Sequence, residues 1–112
     1  MEHETRTERG ATVVRISGSV DVATSIELRD LLAPELDRGG ARVLLDLSGV
    51  SLIDSSGVGV LVTAHRRAEA AGSALVLVAP AGPAARVFEL TRTNKLLRIE
   101  PDLERGLAAF ES

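Results

Sequence analysis

The chain has no cysteine, tryptophan or tyrosine, and only two aromatic side chains, Phe88 and Phe110. Without cysteine there is no disulfide framework and no thiolate chemistry, which fits a cytoplasmic protein. Without aromatics, single-stranded nucleic acid has almost nothing to stack on. Basic stripes are missing too: the net charge is −3, and Arg66-Arg67 is an isolated pair, so no direct nucleic-acid partner is expected. No apolar run approaches the roughly 20 residues that span a bilayer. Met1-Glu2-His3-Glu4 is polar and opens no secretory signal. Bases are scarce, since His3 and His65 are the only histidines.

What is present is aliphatic. Hydrophobic residues make up 45% of the 112, enough for one domain, residues 1–112 with a core of about 5–110, packed mainly with Val, Leu, Ile and Ala. Thr5 to Arg9 and Ala11 to Ile16 alternate around Gly10 as a hairpin that Gly18 ends. Thr24 and Glu27 have the spacing of a capping box and predict a helix with Leu28, Leu31 and Leu32 on one face. Pro34 predicts a kink or break near Leu31 to Ala33, and Gly39-Gly40 stops the element. The apolar runs Arg42 to Leu47 and Ala74 to Ala79 read as strands covered on both faces. A helix is expected from Ser56 to Gly72, with Val58, Leu61, Val62, His65 and Ala68 at helical spacing. Pro83 to Leu90 reads as a third helix and Lys95 to Ile99 as a weak strand. Pro101 is placed to open a last helix bearing Leu103, Leu107 and Phe110. Helices alternating with buried strands, after an initial hairpin, give an α/β fold. Its mixed sheet has about four to five strands, flanked by about four helices.

The most informative stretch is Leu52-Ile53-Asp54-Ser55-Ser56-Gly57-Val58-Gly59, where a strand meets a helix. A hydroxyl there faces unpaired backbone N–H groups and the positive end of the helix dipole, so a phosphate attached to it would be accommodated. Plain N-capping by serine is the competing explanation. Enzymatic readings fit poorly. A nucleophile elbow needs Gly-x-Ser-x-Gly, and Ile53 and Asp54 precede Ser55. His65 lies about 13 Å along the helix from Ser56, too far to activate a hydroxyl. Asp21 and Asp54 could share one end of the sheet, but a metal needs more ligands. There is no Gly-Lys-Ser/Thr for a P-loop. A phosphoacceptor-aspartate receiver would have to use Asp46 and Lys95, and Lys95 precedes its strand. No cofactor, metal or catalytic residue is assigned.

Val43 to Val50 followed by Leu52 to Leu61 resembles the STAS domain, and more narrowly the bacterial anti-sigma-factor antagonists. Ile16 to Asp21, Leu75 to Val78 and Val87 to Thr91 resemble that family's other segments, so the likeness runs from about residue 5 to 110. Thr91-Arg92-Thr93-Asn94 lacks the glycine many relatives carry after the third helix. The resemblance implies phosphorylation of Ser55, the first serine of Asp-Ser-Ser-Gly. It implies a serine-kinase anti-sigma factor as partner, released by phosphorylation and regained through a metal-dependent serine phosphatase. It places Asp21, Thr24, Asp54, Ser55, Ser56, Gly57 and Gly59 at the partner surface. Asp54 would set the loop, Ser56 cap the helix and the two glycines permit close approach. A monomer or weak dimer is expected. Other STAS domains serve as interaction scaffolds for stressosome, nucleotide or lipid cues.

Overall fold

The computed structural model describes residues 1–111; Ser112, the last residue of the expected domain, lies outside them. Strands β1 (Glu2–Glu8) and β2 (Ala11–Val20) form the expected antiparallel hairpin. Its two-residue turn, Arg9-Gly10, has φ of +50° and +76°, the twist that joins neighbouring strands most tightly. Helix α1 (Val22–Leu36), strand β3 (Arg42–Ile53), helix α2 (Ser55–Ala71), strand β4 (Ala74–Val78) and helix α3 (Pro83–Thr91) follow. A 3-10 turn (Thr93–Lys95), strand β5 (Ile99–Glu100) and helix α4 (Leu103–Ala109) complete the chain. The sheet order is β1-β2-β3-β4-β5, and every pair after the hairpin is parallel.

Strand alternation decides what covers each face. Val14, Ile16, Val43, Leu45, Leu47, Leu75 and Leu77 pack with Leu28, Leu32 and Leu36 of α1, Leu61, Ala64 and Ala68 of α2, and Phe88 of α3. On the other face Ala11, Val13, Leu44 and Val78 meet Leu107, with Leu103 and Phe110 against them. Three helices therefore cover one face, and the short α4 covers part of the other.

Several boundaries differ from the sequence expectation. Gly18 does not end β2. The strand runs on to Val20, because Gly18 at φ +88° and two register shifts against β3 absorb the irregularity. For the same reason β3 is one strand of 12 residues rather than two pieces. Pro34 does not break α1, which continues to Leu36. The amide lost at Pro34 deprives only the carbonyl of the exposed Asp30, which water can satisfy. Lys95 to Ile99 is mostly a 3-10 turn and loop; only Ile99–Glu100 pairs, with Leu77 and Val78. The last helix is opened by Asp102, whose carboxylate accepts from the Arg105 N–H at 2.8 Å, so Pro101 stands just outside it. At the other end of α2 the reading holds: Gly72 closes the helix at φ +71°.

Helices α1 and α2 are clamped where α1 ends. Arg67 donates Nε and Nη2 to the two carboxylate oxygens of Asp37, both at 2.7 Å. The Arg67 guanidinium holds the Asp37 carboxyl below its usual range. A carboxyl depressed in the folded state stabilises the fold above its unfolded pKa and loses that contribution as pH falls through the folded value. Asp37→Asn should therefore melt below wild type at neutral pH, and the gap between their melting temperatures should close below about pH 4. A gap that stays constant from pH 7 to pH 3 would exclude this clamp as its source.

Candidate functional site

Strands β2 and β3 end side by side. The Asp54 N–H donates to the Val20 carbonyl at 3.1 Å, so the residues after the two strands, Asp21 and Asp54, emerge together. Each then starts a helix. Asp21 is the N-cap of α1: its Oδ1 accepts from the Thr24 N–H at 3.1 Å, and the Asp21 N–H donates back to the Thr24 hydroxyl at 2.8 Å. That hydroxyl also lies 3.0 Å from the Ser19 carbonyl. The capping box is thus Asp21–Thr24 and not Thr24–Glu27. The Thr24 backbone N–H, and then its hydroxyl, hold the Asp21 carboxyl below the ordinary range.

Asp54 is the N-cap of α2. Its backbone is extended, and its Oδ1 accepts from the N–H groups of Ser56 at 2.9 Å and Gly57 at 3.1 Å. This corrects two expectations. Ser56 does not cap the helix; its own amide is the one capped. The amides expected to cradle a phosphate are already occupied by a carboxylate. A phosphate on Ser55 would keep the attraction of the helix dipole but would stand beside the Asp54 charge. Such a site changes its field sharply when modified.

Ser55 is the first residue of α2. Its side chain is exposed, and its hydroxyl makes no hydrogen bond among the described residues. The glycines, which look alike in sequence, differ in role. Gly57 is buried, and a Cβ there would lie 2.8 Å from both Ile53 Cγ1 and Val20 Cγ1. It lets the helix start rest on the strand ends. Gly59 is exposed, and a Cβ there would meet nothing within 4 Å. The fold does not need this glycine, and a helical glycine costs about 1 kcal/mol against alanine. Gly59→Ala should accordingly raise the melting temperature by a few degrees. If Gly59 serves close approach by a partner, the same variant should bind that partner more weakly; a more stable protein with undiminished binding would remove Gly59 from the surface.

Three apolar residues complete the site and were missed in the sequence. Val22 is 65% exposed, Ile26 51% and Leu52 55%. Val22 directly follows Asp21, with Ile26 one turn along α1, and Leu52 precedes the Asp54 junction by two residues. The signal was the i, i+4 pair Val22–Ile26, which lies off the Leu28–Leu32 stripe. These aliphatics are exposed near the same strand ends from which Ser55 follows, and exposed apolar side chains are suited to docking.

Among the described residues, none of the acids and bases read in the sequence as catalytic candidates bonds to the Ser55 hydroxyl. His65 is half-buried on α2 and lies 3.4 Å from Glu69 of its own helix. Asp46 sits in mid-strand, with its Oδ1 accepting from the Ser48 N–H at 2.9 Å, and Lys95 is exposed in the 3-10 turn. A receiver's acceptor aspartate at a strand end is therefore not formed by Asp46. Among the described residues no group of three or more His, Cys, Asp or Glu is placed to hold a metal.

Residues 2–106 match the family model of the STAS domain. The chain belongs to the STAS domain family. The anti-sigma-B factor antagonist of Staphylococcus aureus (strain NCTC 8325 / PS 47) is 28% identical over 101 residues, covering 90% of this chain and 94% of the relative. The crystal structure of an anti-sigma factor antagonist from Mycobacterium paratuberculosis superposes with a TM-score of 0.90 at 22% identity, covering 99% of this chain and 94% of the other. The Bacillus cell fate determinant SpoIIAA in its phosphorylated form is similar with a TM-score of 0.70 at 20% identity, covering 97% and 99%. In this STAS domain the five-stranded mixed sheet delivers Asp21 and Asp54 to the same end of neighbouring strands and leaves Ser55 exposed next to Asp54.

Proposed function

We propose that this STAS domain is an anti-sigma factor antagonist and a switchable binding module rather than an enzyme. In its unmodified form it docks on a serine-kinase anti-sigma factor in the cytoplasm and frees the sigma factor. The kinase phosphorylates Ser55, docking ends, and a metal-dependent serine phosphatase restores it. The observation that carries this reading is the Ser55 hydroxyl. It is exposed and unpartnered at the first position of α2, beside an amide pair already capped by Asp54. A kinase can reach it without unfolding anything. Phosphorylation adds about −1.5 to −2 charges at neutral pH, next to Asp54 and close to the strand end that carries Asp21. The Staphylococcus relative, named an anti-sigma-B factor antagonist, supports the partner class.

In this scheme Asp54 fixes the loop, and Thr24 holds Asp21 in place to contact the partner or orient its catalytic groups. Val22, Ile26 and Leu52 supply apolar contact, and Gly59 supplies close approach. No helix among the described residues is long and apolar enough to cross a membrane.

The test is mass spectrometry of intact protein and peptides from the native host, before and after phosphatase treatment. A phosphatase-sensitive phosphate on Ser55 is expected. Its absence under every growth condition, together with no labelling by the host's anti-sigma kinases, would replace the switch with a scaffold role.

A further inference from the structure

Helix α3 ends in a second surface that the proposed function does not use. Leu90, at 73%, is the most exposed large apolar residue described, and Leu96 is 54% exposed. Between them the chain turns through Arg92 at φ +59°, a left-handed conformation that strains any side chain but glycine's. Arg86 lies one turn before Leu90, and Lys95 directly precedes Leu96. Arg86, Arg92 and Lys95 form no ion pair among the described residues. The stretch 86–96 holds these three cations and one acid, Glu89, for a charge of +2, so the rest of the −3 chain carries −5.

Bare leucines and a left-handed arginine, where glycine would relax the turn, cost the chain something, and the hydrated cations beside them are left available. Against a negatively charged apolar boundary the leucines would be buried and the cations would gain counter-charges. The patch lies at the end of a helix and a 3-10 turn, and both of its leucines are exposed. Projecting leucines need no matching pocket in a lipid interface, which deforms around them, whereas a protein partner would need a complementary groove.

We propose that Leu90 and Leu96, with Arg86, Arg92 and Lys95 beside them along the chain, form a peripheral attachment surface for an anionic lipid bilayer. The leucines enter the headgroup boundary and the cations face lipid phosphates. The acidic remainder is repelled, which fixes the orientation. Helix α3 follows β4 and returns the chain toward the strand starts, as α2 does after β3. Its C-terminal end therefore points away from Ser55, and attachment leaves that hydroxyl open to a kinase.

The test is sedimentation of the full chain with unilamellar vesicles of phosphatidylcholine and phosphatidylglycerol at about 3:1, against pure phosphatidylcholine. Binding is expected to the anionic vesicles only, weakening about tenfold between low salt and about 0.5 M NaCl as the surface potential is screened. Leu90→Ser with Leu96→Ser should abolish it while leaving the melting temperature near wild type. Arg92→Gly should melt higher than wild type, because it relieves the turn, yet bind the vesicles less; a folding defect cannot produce that pair of results. Failure of the wild type to bind anionic vesicles, or binding insensitive to these substitutions, overturns the proposal. So does a result in which vesicles are ignored while these variants weaken capture by the anti-sigma kinase, because the patch is then a protein surface.

Discussion

Ser55→Asp is expected to bind the host's anti-sigma kinase about a hundredfold more weakly than wild type, a loss of about 3 kcal/mol, whereas Ser55→Ala stays within a few-fold of wild type. The asymmetry follows from geometry. The wild-type hydroxyl has no partner among the described residues, so removing it leaves no orphaned group and disturbs no cap. A carboxylate at the same place stands beside Asp54, whose Oδ1 already takes the Ser56 and Gly57 amides. Those amides cannot also compensate the new charge. Docking would then strip water from two adjacent anions, and like charges in a desolvated interface cost several kcal/mol. Titration calorimetry with purified kinase checks this, and melting curves confirm that both variants are folded. Equal affinity of Ser55→Asp and wild type would mean that charge at this position does not govern docking, and the switch would have to work by shape.

Much of the fold can be read from the sequence because burial leaves a local mark. Val43-Leu44-Leu45 and Leu75-Val76-Leu77-Val78 are continuous apolar runs because helices cover both faces of the sheet there. What cannot be read was decided between elements. Asp-x-x-Thr at Asp21 and Thr-x-x-Glu at Thr24 both satisfy a capping pattern. Asp21 takes the role because the Val20 carbonyl is fixed by the Asp54 N–H, which ends β2 and starts the helix at once. In the same way Ser56 satisfies the rules for a cap, but the longer-reaching Asp54 stands earlier and captures its amide. Exposure of Val22, Ile26 and Leu52 is illegible in composition, since each is as apolar as a core residue. The identity of Ser55 as the accessible hydroxyl emerges from both levels: the motif places it at the junction, and the structure leaves it without a partner. At Arg92, where a glycine is absent, the backbone adopts a left-handed turn, a conformation that strains a residue with a side chain.

Gly57→Ala should lower the melting temperature by about 5–10 °C, the consequence of a net loss of about 1–2 kcal/mol in a chain of this size. Two effects oppose each other. Helix propensity favours alanine by about 1 kcal/mol. Against it, the new methyl would lie 2.8 Å from Ile53 Cγ1 and Val20 Cγ1 and 3.2 Å from Ile53 Cδ1. Val20 and Ile53 are 0% and 3% exposed, and both are β-branched, so neither can rotate away freely. Relief requires the start of α2 to lift off the ends of β2 and β3, and Ser55 rides on that start. Docking of Gly57→Ala should therefore fall even at temperatures where the variant is fully folded. Gly59→Ala is the internal control: the chemistry is the same two residues further on, but its methyl meets open space, so its melting temperature should move the other way. Calorimetric melts of the two variants side by side decide the matter. If Gly57→Ala melts at or above wild type, the close seating of α2 on the strand ends is not what requires glycine at that position.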